Sequence, residues 1–112
     1  MKRSMLIIAA LLMLVAMASM PKIAAAQENF EQINNLIANA KSPEDHAKIA
    51  QFFDDQAAKA DAEARWHQSL LKVYMGVPRL SSEQMHCKRL VSVYKNAAKE
   101  DRELAAEYRN MK

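Results

Sequence analysis

The chain has 112 residues, 51% of them apolar, with one cysteine, one glycine and a formal charge of +3. A single cysteine excludes the internal disulfides that usually reinforce small exported domains. Lys2, Arg3 and Lys22 supply the whole charge excess, and from Gln27 onward 13 basic residues balance 13 acidic ones, which leaves no basic face for nucleic acid.

Lys2 and Arg3 precede an unbroken apolar and small run from Met5 to Met20, and Ala24-Ala25-Ala26 before Gln27 has the small-x-small form of a cleavage site. The expectation is a cleaved signal peptide over 1–26 followed by a single helical domain over 27–112, periplasmic or secreted and free of the membrane after cleavage. The run is 16 residues, short of the roughly 20 that span a bilayer comfortably, and Pro21 and Lys22 interrupt it. An uncleaved anchor tethering an interaction helix is the alternative. Five of the eight methionines lie within this leader, which removes the case for a Met-rich copper tract.

A short first helix is expected over 29–40, from Phe30, Ile33, Leu36 and Ile37 at helical spacing. Ser42 as N-cap, Pro43 at the first helical position and Glu44 and Asp45 in the first turn open a long second helix over 43–75. Gly76-Val77-Pro78 stops it. Ser81 with Gln84 three residues on has a capping-box pattern, and a third helix is expected over 82–110. Two helices of matched length with a short loop between them should fold back as an antiparallel αα-hairpin.

The 3,4 spacing places His46, Ala50, Phe53, Ala57, Ala60, Ala64, His67, Leu71 and Tyr74 on the seam of the second helix. On the third it picks out Cys87, Leu90, Tyr94, Ala97, Asp101, Leu104 and Tyr108. Alanine permits close approach but buries little area at about 25 cal/mol per Å². Such a thin core calls either for the first helix to pack across the groove or for two chains to form a dimeric four-helix bundle, and the dimer is favoured. The fold class is therefore all-α.

Templates for catalysis are missing. The chain has no Cys-x-x-Cys, no His-Glu-x-x-His and no strand-to-helix elbow for a nucleophile, so no enzymatic activity and no catalytic residue is expected. What remains is His67, His86 and Cys87. If the loop centre lies near residue 78 or 79, His67 is level with Leu90 and about 4 to 5 Å from Cys87 along the axis. An imidazole and a thiolate meeting there can bind copper or zinc, although adjacent His86 and Cys87 point about 100° apart. The plainer reading makes His67 a packed seam residue and Cys87 a buried apolar one, with a bridge to a second chain and a redox-reactive thiol as further alternatives. Trp66 either covers the first helix or anchors a partner. Asp101, level with Gln56 in that register, is a polar seam position of the kind that sets register or oligomer state.

Ser42-Pro43-Glu44-Asp45-His46, His67, His86-Cys87, Leu90, Ala97-Ala98 and Leu104-Ala105 together resemble small exported helical proteins of Gram-negative bacteria that have no established function. The resemblance covers about residues 41–110 and implies fold and compartment only. The expected function is that of an exported, non-enzymatic helical protein acting through a protein partner as a scaffold, adaptor or accessory, with a homodimer as one such arrangement. The alternative is copper or zinc binding through Cys87 with His67 or His86.

Overall fold

The computed structural model describes the backbone from Ile23 to Lys112 and the side-chain environments from Phe30 onward. Most of the expected signal peptide, residues 1–22, lies outside the described residues. Within them the chain is all-helical: α1 is Ile23–Asn39, α2 is Pro43–Met75, a 3-10 turn covers Pro78–Leu80, and α3 is Ser81–Asn110. α1 starts ahead of the expected residue 29, since Ala24-Ala25-Ala26 are strong helix formers. The expected cleavage junction, Ala26-Gln27, is thus helical in the uncut chain.

The start of α2 follows from its first residues. Ser42 sits in extended backbone and its Oγ accepts from Asp45 N–H at 3.1 Å, while Pro43 occupies the first turn, where its missing N–H costs nothing. Asp45 Oδ2 in turn accepts from Lys41 N–H at 3.3 Å. The bond from Lys41 N–H foremost, with Ser42 and the Lys48 charge adding to it, holds the Asp45 carboxyl below its ordinary value. At the other end Gly76 keeps a negative φ of −75°, so no left-handed residue closes the helix. The break comes one residue later, where Val77 is extended at φ −128° and ψ 93° because Pro78 disfavours helical backbone in the residue before it.

α3 begins without the expected capping box. Its N-cap is Leu80, with no side-chain cap bond, and Gln84 reaches back instead so that its Nε2 donates to Tyr74 O at 2.9 Å. That bond is the second to this carbonyl in the last turn of α2, which also accepts from Val77 N–H at 2.9 Å. The capping pattern at Ser81 and Gln84 therefore ties the two helices together rather than closing one of them.

The chain divides within α1 into two compact units, one ending at Asn34 and the other running from Asn35 to Lys112. In the first, Ile33 is buried. In the second, α2 and α3 pack along their lengths. Phe53 stacks on Tyr108, His67 stacks on Tyr94, Asp54 pairs with Arg109 and Asp61 pairs with Arg102. Partner numbers fall on one helix as they rise on the other, so the two helices lie side by side in opposite directions.

The seam between them is lined with alanine: Ala50, Ala57, Ala60, Ala64, Ala98 and Ala105 are buried. On α2 these fall on the expected seam. On α3 the expected Cys87, Tyr94, Asp101 and Tyr108 are on the seam, but the buried alanines between them are one residue over, at Ala98 and Ala105, whereas Ala97 is partly buried and Leu104 is 37% exposed. The reason is steric. A leucine facing the alanines of α2 would hold the backbones apart, whereas rotating α3 by one residue presents methyl groups and lets Ala57, Ala60 and Ala98 meet in one cluster flanked by Tyr94. Ile49 is the one large side chain wholly buried among the described residues.

Candidate functional site

Each expected ligand has a definite place. His67 is 7% exposed and its ring stacks on Tyr94 at 5.5 Å and 9°. Trp66 leans against the same imidazole at 4.6 Å and 56°. Its Nε2 lies 3.9 Å from Glu63 Oε2, and its buried Nδ1 has no hydrogen-bond partner. Cys87 is a buried free thiol, whereas its neighbour His86 is exposed. The neighbours on the sequence are divided by the helix, one facing in and one facing out.

The register differs from the one the loop suggests. His67 is level with Tyr94 and not with Leu90, and Cys87 lies seven residues from Tyr94, or about 10 Å of helical rise. His67 and Cys87 are thus on one seam but at different heights. The cause is the connection, which spends three residues in a 3-10 turn before α3 begins and so displaces the point of reversal toward α3. Among the described residues no group of three or more His, Cys, Asp or Glu side chains could hold a metal ion.

His46 lies at the far end of the same seam, its ring 6.4 Å from that of Tyr108, which also stacks on Phe53 at 5.8 Å and 13°. Its Nδ1 is buried without a partner. The seam is thus an alanine stretch closed at two heights by a histidine and tyrosine contact. Asp101 is partly buried on this seam, level with Asp61 and Ala60 rather than Gln56, and burial pushes its carboxyl above the ordinary value.

The two flanks beside the seam have opposite chemistry. On one, Asp54 and Asp61, seven residues apart on α2, pair with Arg109 and Arg102, seven residues apart on α3. The Arg102 guanidinium beside Asp61 holds that carboxyl below its usual range. On the other flank Trp66 and Val73, also seven residues apart, are apolar. Trp66 and Val73 are 57% and 63% exposed on α2, with Leu70 partly buried between them, and Val93 and Leu104 are 57% and 37% exposed on α3.

An exposed tryptophan and two exposed valines on one flank form the most unusual surface here, since a lone exposed apolar residue needs no explanation but a row shared by two helices does. Sequence reasoning reached Trp66 and left Val73 and Val93 unassigned. The signal that could have found them is a second seven-residue apolar row beside the alanine row, visible as Leu90, Ala97 and Leu104 once the alanines are taken as the seam. In comparisons with known proteins, the chain matches no family model, no curated protein and no solved structure.

Proposed function

We propose that this chain is an exported, non-enzymatic helical protein that acts through protein–protein contact, with the flank of Trp66, Val73 and Val93 as its contact surface and the antiparallel α2 and α3 hairpin as its scaffold. The supporting observation is the exposure of Trp66 at 57% on a flank whose neighbours are also apolar. Tryptophan is the side chain most enriched among residues that carry binding energy. No helix among the described residues is long and apolar enough to cross a membrane, and the charge balance from Gln27 onward argues against nucleic acid as the partner. Export and a periplasmic or secreted location rest on the leader sequence and on the resemblance described above.

The test is site-specific photocrosslinking in cells. A crosslinker at Val73 should give defined protein adducts, and one at Lys95, an exposed residue on the ion-paired side of α3, should not. Equal labelling from both positions would sink the reading. N-terminal sequencing of the recovered protein tests export, with Gln27 as the expected first residue.

The alternative is copper or zinc held by Cys87 with His67 or His86. It draws on the free buried thiol and on the unpartnered Nδ1 of His67, and it requires ligands from a second chain or a shift of one helix along the other. Native mass spectrometry without chelator separates the two: a stoichiometric metal lost in Cys87→Ser favours the metal reading.

A further inference from the structure

We infer that the occupant of the apolar flank is a second copy of this chain, which stacks its own apolar flank on the first to make a four-helix bundle with Trp66, Leu70 and Val93 inside. The inference rests on the contact reading above and names its partner. The first argument is the composition of the core. Along α2 and α3 the buried side chains are alanines, one cysteine, one histidine and Ile49, while Trp66, Val73 and Val93 lie outside. A two-helix unit of this size gains little from such a seam. The missing apolar burial must come from a surface present whenever the protein is, and a second copy is the one partner that meets that condition by itself.

Area and charge point the same way. A face two helices wide and as long as the 33-residue α2 measures roughly 50 Å by 20 Å, or about 1,000 Å², against the ~800 Å² per partner of a stable interface. From Gln27 onward the chain is formally neutral, so two copies meet without net repulsion.

If the two-fold axis runs along the helices, each α2 meets the second copy's α3 in the same register that α2 keeps with its own α3. Leu70 then comes level with the second copy's Val93, with Trp66 about one helical turn away. The apolar centre of the flank is thus self-complementary, and a symmetric copy matches it. The ion pairs of Asp54 and Asp61 stay on the outer flank of each hairpin.

The experiment is sedimentation equilibrium on the purified protein over a wide concentration range, with the emission of Trp66, the chain's single tryptophan, followed in the same samples. A dimer is expected whose emission shifts to the red as dilution exposes the indole. Val93→Glu should weaken association by at least about tenfold, whereas Lys95→Ser should leave it unchanged. Circular dichroism of Val93→Glu should match the wild type, which separates lost association from misfolding.

A wild-type protein that stays a single chain with red emission at every concentration overturns the inference. So does a Val93→Glu protein that associates like the wild type. A single chain that still crosslinks to other proteins through Val73 would overturn the second copy while leaving the contact reading in place. A single chain with no flank-specific adducts would overturn both.

Discussion

The two flanks of the α2 and α3 pair are built on the same seam and have opposite fates. One is closed by side chains of the chain itself, Asp54 to Arg109 and Asp61 to Arg102. The other leaves Trp66, Val73 and Val93 in contact with water. Exposed ion pairs are worth only about 0 to 1 kcal/mol each, so the charged flank fixes which residues sit level more than it stabilises the fold. The apolar flank holds the larger unspent driving force, because burying one large apolar side chain is worth about 1.5 to 3 kcal/mol. The lesson is that charge here fixes register while the larger apolar area is left exposed.

The sharpest way to break the comparison is at the one place where the apolar row is already buried. Ile49 lies three heptads before Leu70 and is fully shielded, so Ile49→Ala should cost about 2 to 5 kcal/mol in chemical denaturation. Val73→Ser, at the exposed end of the same flank, should stay within about 0.5 kcal/mol when measured at high dilution. Equal losses at both sites would contradict the division into a shielded and an open end.

Separating the helices tests both flanks together. Ala98→Leu inserts volume where Ala57 and Ala60 meet α3 and should cost about 1 to 3 kcal/mol, with loss of the helix pairing visible as increased amide exchange along the seam. The N-cap is a smaller and more local lever: Ser42→Ala removes the acceptor for Asp45 N–H and should cost about 1 kcal/mol.

The weakest expected effects belong to the carboxylates, and their signs differ. Asp61 is held below its ordinary value of 3.8 by Arg102, so its stabilising contribution is fully present above that value and disappears as the pH falls through the lowered folded value. Arg102→Ala should therefore flatten the acid limb of the stability profile, and salt should shrink the difference from wild type. Asp101 has the opposite sign. Burial raises its carboxyl, so the folded state favours its protonated form, and the destabilisation this group causes at neutral pH is relieved as the pH falls through the raised value toward the ordinary 3.8. Asp101→Asn should raise the melting temperature slightly at neutral pH and lose that advantage in acid. A neutral-pH loss instead would show that Asp101 has a favourable partner.

Much of the local structure was legible because it depends on neighbours in sequence. Ser42 before Pro43, with acids in the next turn, places the start of α2, and Val77 before Pro78 marks where the helix cannot continue. The α2 seam was legible as well, since alanines at 3,4 spacing admit one face. The α3 seam was half legible: Cys87, Tyr94, Asp101 and Tyr108 lie on it, but Leu90, Ala97 and Leu104 make as good a set of alternate positions as Val91, Ala98 and Ala105 when the helix is read alone. Gln84 was misread for a related reason: a residue that fits a local cap was taken up by Tyr74 O across the reversal.

The same division holds for the candidate site. His67, His86 and Cys87 were found as chemically capable residues, but whether they meet depends on the height at which one helix lies against the other. The sequence by itself determined helical state, the two ends of α2, its seam and the charge balance, because these follow from backbone preference and periodicity. Only the tertiary structure decided that Ala98 and Ala105 face α2, that His67 stacks on Tyr94 about 10 Å from the level of Cys87, and that Trp66 is left outside. Those outcomes turn on rotating and sliding one rigid helix against another, where the many small contact energies of the whole seam compete and no local signal outweighs them.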